Sequence, residues 1–137
     1  MAVRRISAAV CTALALTLAS DIPALAQGSD SGVHSSQTDP CSLPGVIRGT
    51  DGPDTLTGTS GDDVICGLSG NDKIEGLGGN DTIYGGDGND IIYGQPGSDT
   101  IYGGNGDDIL NGGNGNDTTY GNEGAATHQG NPGNDTI

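Results

Sequence analysis

A nine-residue repeat constrains this chain more than any other feature, because it runs without an insertion from Gly49 to Ile137. The repeat reads Gly-x-x-Gly-x-Asp-x-apolar-x, and the segment from Gly85 to Tyr93 (Gly-Gly-Asp-Gly-Asn-Asp-Ile-Ile-Tyr) is a clear copy. Ten consecutive copies begin at Gly49, Gly58, Gly67, Gly76, Gly85, Gly94, Gly103, Gly112, Gly121 and Gly130. A fixed period of this kind predicts a solenoid, in which each repeat packs only against its neighbours.

The composition excludes an ordinary globular core. The chain has 27 Gly, no Phe and no Trp, and its 18 acidic residues far outnumber its 4 Lys and Arg. Without the strict period, such a composition would predict disorder. An acidic surface attracts cations and repels polynucleotides, so we expect a cationic ligand and no nucleic-acid partner.

The N-terminal residues 1–26 have the pattern of a signal peptide. Arg4 and Arg5 precede a short apolar run over residues 6–19, and Ala24-Leu25-Ala26 offers a small-residue cleavage site before Gln27. The run is too short for a membrane span and no second apolar segment follows it, so we expect a secreted protein with no membrane span.

The remaining sequence divides into three segments. Residues 27–39 are small, polar and aperiodic, which is typical of a flexible linker. Residues 40–48 have the length of one repeat without its pattern, and we interpret them as an N-terminal cap. Residues 49–137 form the repeat domain, in which the copy starting at Gly121 is degenerate.

Within each repeat, positions seven to nine are rich in Thr, Ile and Tyr and predict a three-residue strand. The other six residues, with two glycines, predict a turn, so that two repeats form one coil of 18 residues. Position eight points inward, and the apolar residues there, Leu56, Ile65, Ile74, Ile83, Ile92, Ile101, Leu110 and Ile137, predict a thin core between two sheets. Thr119 and His128 occupy the same position, so we expect a weak core and fraying in the last coils.

The aspartates at position six point to a metal. Residues 18 apart lie one coil apart, so Asp54 stacks over Asp72 and Asp72 over Asp90, and stacked like charges disfavour folding. A divalent cation between them reverses that effect. Calcium accepts carboxylates and backbone carbonyls in flexible geometry, whereas zinc and copper favour clusters of Cys and His that this sequence lacks.

The repeat resembles the RTX, or hemolysin-type, calcium-binding nonapeptide family, and the resemblance covers residues 49–137. It implies an all-β fold, a right-handed parallel β-roll that binds several calcium ions between neighbouring coils. The implied carboxylate ligands are Asp54, Asp63, Asp72, Asp81, Asp90, Asp99, Asp108, Asp117 and Asp135. The implied carbonyl ligands lie in the loops that contain Gly49, Gly52, Gly58, Gly61, Gly67, Gly70, Gly76, Gly79, Gly85, Gly88, Gly94, Gly97, Gly103, Gly106, Gly112 and Gly115. Ala126 replaces one aspartate of this series.

Outside the leader the chain has two cysteines, Cys41 in the predicted cap and Cys66 in the second repeat. An even number of cysteines in an exported protein favours a disulfide. Two free thiols and a bridge between two molecules are the alternatives.

These features predict a secreted calcium-binding protein that folds when it binds calcium, and not an enzyme. Two alternatives stay open. The chain could be the calcium-binding tail of a larger secreted enzyme. It could also be a calcium-dependent adhesin, or an ice- or glycan-binding module, with a cell-surface or extracellular-matrix partner. That binding face would consist of Thr82, Thr100, Thr118 and Thr136 beside Tyr84, Tyr102 and Tyr120.

Overall fold

The computed structural model describes residues 39–137, and the fold there is a parallel β-solenoid of about five turns. The predicted signal peptide and all but the last residue of the predicted linker lie outside the described residues. None of the helices in the described part is long and apolar enough to cross a membrane.

The solenoid consists of two parallel sheets of five strands each. One sheet contains β1 (Ile47–Arg48), β3 (Val64–Ser69), β5 (Thr82–Asp87), β7 (Thr100–Asn105) and β9 (Thr118–Glu123), in that order. The other contains β2 (Thr55–Thr57), β4 (Lys73–Glu75), β6 (Ile91–Pro96), β8 (Ile109–Asn114) and β10 (Thr127–Gln129). The strands pair in a register of 18 residues, as in Ile65↔Ile83 and Ile74↔Ile92. The predicted parallel β-roll with two repeats per coil is confirmed.

The strands of the inner coils are longer than predicted. The prediction of three residues is correct for β2, β4 and β10 but wrong for β3 and β5 to β9, which have six. The first three positions of the next repeat continue the ladder, as in Gly86↔Gly104. One further bond, in which the Gly88 N–H donates to the Asn105 carbonyl at 2.8 Å, carries the pairing into the loop. Half of the predicted turn therefore belongs to the strand ladder in these coils.

The core is a single file of position-eight side chains from both sheets. Its fully buried members are Ile65, Ile74, Ile83, Ile92, Ile101 and Leu110. Ile47 and Leu56 pack against the N-terminal end of the file. At the other end the core is polar, because the Thr119 hydroxyl and His128 Nδ1 form a hydrogen bond of 2.7 Å. This bond satisfies both groups where the sequence predicted only a weakened core.

A short cap closes the N-terminal end of the solenoid. Pro40–Ser42 form one 3₁₀ turn, and the Asp39 carboxylate accepts a hydrogen bond from the Cys41 N–H at 2.9 Å. A disulfide joins Cys41 to Cys66 on β3, so of the alternatives left open by the sequence the intramolecular bridge is the one formed. It ties the cap to the outer face of the sheet, where Cys66 pairs with Tyr84.

Candidate metal centre

The loops between the strands bring the position-six aspartates together in two stacks. Each stack contains residues 18 apart, one stack on either edge of the solenoid, as the repeat predicted. One contains Asp54, Asp72, Asp90 and Asp108, followed by Ala126. The other contains Asp63, Asp81, Asp99, Asp117 and Asp135.

In every stacked aspartate after the first of each stack, one carboxylate oxygen holds neighbouring coils together. Asp90 Oδ1, for example, accepts a hydrogen bond from the Asp72 N–H at 2.8 Å. The same bond occurs between all seven consecutive aspartate pairs of the two stacks, at 2.8 to 3.0 Å. A hydrogen bond to a charged acceptor is stronger than one between neutral groups, so these bonds oppose the repulsion within each stack.

The second carboxylate oxygen, Oδ2, has no hydrogen-bond partner in six of the aspartates. These residues are only 1–2% exposed, and they are Asp72, Asp81, Asp90, Asp99, Asp108 and Asp117. Buried polar atoms of native proteins almost always have a partner. Six such atoms in equivalent positions are therefore suited to a ligand that a carboxylate oxygen can bind.

A backbone carbonyl borders the same small space as the Oδ2 atoms of Asp72, Asp81, Asp90 and Asp99. A Cβ placed on Gly85 would lie less than 3.0 Å from both Asp90 Oδ2 and the carbonyl oxygen of Gly103, one coil further on. Gly67, Gly76 and Gly94 have the same surroundings. Because both oxygens are acceptors, the small space that they border favours a cation or a proton.

Burial makes these carboxylates hard to ionise on their own. Desolvation raises the pKa of Asp90 and of Asp99 to about 6, although the N–H bond from the preceding coil acts in the opposite direction. Desolvation also raises the pKa values of Asp72, Asp81, Asp108 and Asp117. Nearby aspartates contribute a smaller increase, which comes from the same stack in most cases and from Asp107 in the case of Asp108. A bound cation would favour the charged form of every member.

The invariant glycines at positions one and four of the repeat are required for different structural reasons. At position one, as at Gly85, a side chain would fill the space beside the aspartate. At position four, Gly88 and Gly106 have φ values of 128° and 133°, which L-residues with a side chain rarely adopt. The carbonyl of Gly70, at position four, lies against Gly88 of the next coil. The carbonyls at position one, by contrast, lie beside the unpartnered carboxylate oxygens.

Position five carries a second ladder that the sequence reasoning missed. The Asn71 Oδ1 atom accepts from the Asn89 N–H at 2.9 Å, and Asn89 Oδ1 accepts from the Asp107 N–H at 3.0 Å. Here the accepting side chain lies in the earlier coil and the donating N–H in the later one, the reverse of the aspartate bonds. Seven of the ten repeats have Asn or Asp at position five, a bias that could have revealed the ladder.

The first coil differs from the rest. Asp54 Oδ2 accepts hydrogen bonds from the Thr50 N–H at 2.6 Å and the Thr50 hydroxyl at 2.9 Å. Asp63 Oδ2 accepts the same pair of bonds from Thr59, again at 2.6 and 2.9 Å. Both aspartates are partly exposed. The Oδ2 atoms of these two predicted ligands are therefore not unpartnered like those of the inner coils.

The C-terminal end departs from the pattern in another way. Ala126 places its Cβ beside Gly121, where the other repeats have a carboxylate oxygen. Asp135 keeps the usual arrangement, because its Oδ2 lies beside Gly130 and its Oδ1 accepts from the Asp117 N–H at 3.0 Å.

The predicted Thr/Tyr face lies on the outside of the sheet that contains β5, β7 and β9. The Tyr84 and Tyr102 rings stack with centroids 4.9 Å apart, and Tyr102 and Tyr120 stack at 5.0 Å. The ring planes are within 10° of parallel. The inner ring faces are thus used by the stack itself, which leaves mainly edges and hydroxyl groups for contact with other molecules.

A comparison with protein families agrees with the geometry of the loops. A family model described as RTX calcium-binding nonapeptide repeat (4 copies) matches residues 46–74, 67–101, 84–119, 93–127 and 120–137. The chain belongs to the RTX calcium-binding repeat family. A search of curated proteins found no match. The family resemblance seen in the sequence is confirmed.

The donor atoms of these RTX loops fit calcium. Carboxylate and carbonyl oxygens are the hard ligands that calcium prefers, and calcium tolerates irregular geometry. Residues 39–137 contain no group of three or more Asp, Glu, His or Cys side chains that could hold a metal ion. The free Oδ2 atoms lie beside position-one carbonyls, so the oxygens that each loop offers are one free carboxylate oxygen and backbone carbonyls.

Proposed function

We propose that this RTX chain is a secreted calcium-binding protein whose β-roll folds when calcium binds between its loops. The observation that carries the proposal is the set of six buried, unpartnered Oδ2 atoms, each in a loop of the family's calcium-binding repeat. Calcium supplies positive charge and accepts several oxygen ligands at once. Asp90 and its equivalents would provide the free oxygen, and the position-one glycines would provide the adjacent carbonyl.

Coupling of binding to folding follows from the balance of forces in the roll. Its core consists of one file of six fully buried aliphatic side chains, whereas its loops bury six carboxylates. Without a cation the buried charge opposes folding, and the acidic, glycine-rich composition favours disorder. The free energy of calcium binding would then supply the free energy of folding.

The predicted signal peptide at residues 1–26 supports a role outside the cell. Calcium is scarce in the cytosol and plentiful outside, so the chain would be exported unfolded and would fold after export. We propose a binding role rather than a catalytic one, because the stacked aspartates use their oxygens for contacts between coils and for the proposed ion.

Circular dichroism of the purified chain tests this proposal. We expect a disordered spectrum in excess chelator and a strand-rich spectrum after millimolar calcium is added, with reversal by more chelator. Magnesium at the same concentration is the control and should not restore the strands, because it requires a stricter octahedral geometry. Identical strand-rich spectra with calcium and with chelator would refute coupled folding, and failure to bind calcium would refute the function itself.

A further inference from the structure

We infer that Thr50 and Thr59 take the place of calcium in the first coil, so that Asp54 and Asp63 bind no ion. This inference rests on the proposed function, because it concerns which of the RTX loops calcium can occupy. It assigns to two threonines a role in setting the number of bound ions.

The first coil has the same oxygen atoms as the inner coils. A Cβ on Gly49 would lie less than 3.0 Å from Asp54 Oδ2 and from the Gly67 carbonyl oxygen. A Cβ on Gly58 would meet Asp63 Oδ2 and the Gly76 carbonyl oxygen in the same way. A difference in occupancy cannot therefore come from the lack of a carboxylate or of a carbonyl.

The difference lies in the hydrogen-bond donors. Thr50 directs both its N–H and its hydroxyl at Asp54 Oδ2, and Thr59 does the same at Asp63 Oδ2. Two donors place partial positive charge on the side from which a cation would approach. They also satisfy the oxygen that stays unpartnered in Asp72 and Asp81, one coil further on.

The backbone explains why only the first coil has this arrangement. Position two adopts a positive φ in the following repeats, with 85° at Leu68, 78° at Leu77 and 116° at Gly86. Thr50 and Thr59 occupy position two but are not in this conformation, so their N–H groups turn toward the aspartate. The residues that replace them in the inner coils, such as Leu68 and Gly86, have no hydroxyl. Both donors are thus specific to the first coil.

Equilibrium dialysis against radioactive calcium, which counts the ions bound at saturation, tests the inference on the full chain. The decisive variant is Asp54→Asn/Asp63→Asn, in which the amide oxygen can still accept from the threonines. We expect it to bind as many ions as the wild-type chain. The matched variant Asp90→Asn/Asp99→Asn removes two free oxygens from inner coils and should lose at least two ions.

A second pair of variants tests the threonines directly. Thr50→Gly/Thr59→Gly removes the hydroxyl donors and permits the positive φ of Gly86, in which the N–H no longer points at the aspartate, so it should bind one or two ions more than the wild type. Thr50→Ser/Thr59→Ser keeps the hydroxyls and should bind the wild-type number. Loss of ions in Asp54→Asn/Asp63→Asn, or an unchanged number in the glycine variant, would overturn the inference. A wild-type chain that binds no calcium would instead refute the proposed function.

Discussion

The glycines at position one show how a single residue controls each proposed site. Gly85 does not have a positive φ, so its backbone would accept alanine without strain. The obstacle is space, because a Cβ would lie less than 3.0 Å from Asp90 Oδ2 and from the Gly103 carbonyl oxygen. We predict that Gly85→Ala loses one bound calcium ion and lowers the free energy of unfolding by about 1–3 kcal/mol. Calcium titration calorimetry and urea unfolding in calcium would measure the two effects.

Gly78→Ala is the matched control for this prediction. The nearest atom to a Cβ at Gly78 is 3.8 Å away, and φ there is also outside the left-handed region. Alanine at a compatible glycine stabilises a protein by about 0.4–1 kcal/mol, because it restricts the unfolded chain. Gly78→Ala should therefore keep all its ions and be at least as stable as the wild type. Equal effects of the two substitutions would contradict a role for the space beside Asp90.

At the scale of strands and loops, the period alone predicted most of the fold. Residues 18 apart pair as expected, and the position-eight side chains from Ile65 to Leu110 form the core. The prediction was wrong for Ile137, which is 71% exposed at the C-terminal end of the solenoid. The length of β5 could not be predicted, because its last residues pair only after neighbouring coils bring their backbones together. The hydroxyl and N–H bonds of Thr50 to Asp54 were also out of reach, because they depend on the local φ of the loop.

The tyrosine file offers a test of how the outer face stabilises the sheet. Tyr102 stacks on Tyr84 on one side and on Tyr120 on the other, and each stacked pair contributes about 0.5–1.5 kcal/mol beyond burial. We predict that Tyr102→Ala lowers the free energy of unfolding in calcium by about 1–3 kcal/mol. Urea unfolding followed by circular dichroism would measure this change.

Tyr93→Ala is the comparison for the tyrosine file. Tyr93 lies on the other sheet, where the Lys73 ammonium is 6.0 Å from the centroid of its ring. A single cation–π contact at an exposed site contributes about 0.5–1 kcal/mol, so this substitution should cost less than Tyr102→Ala. If both variants lost the same stability, the stack would have no special role and the outer face would be only a strand-forming surface.

At the scale of the whole molecule, the two ends of the solenoid offer fewer of the proposed ion sites than its middle. The N-terminal end has the 3₁₀ turn, the disulfide and the Thr50 and Thr59 bonds. The C-terminal end has Ala126 in the aspartate series and a polar pair, Thr119 and His128, in the core. The six unpartnered oxygens lie between these ends. This arrangement concentrates the dependence on calcium in the inner coils.

The disulfide should determine how much calcium the inner coils require. Cys41 and Cys66 are 25 residues apart, and closing a loop of this size stabilises the folded state by about 3 kcal/mol through the unfolded chain. If folding is linked to the binding of about six ions, the stabilisation lost on reduction is shared among six binding equilibria. Reduction should therefore raise the calcium concentration at the folding midpoint about two-fold. A calcium titration followed by circular dichroism, with and without a phosphine reductant, measures the shift. Cys41→Ser/Cys66→Ser should reproduce the shift and be insensitive to the reductant. An unchanged midpoint would show that the cap contributes nothing to the stability of the roll.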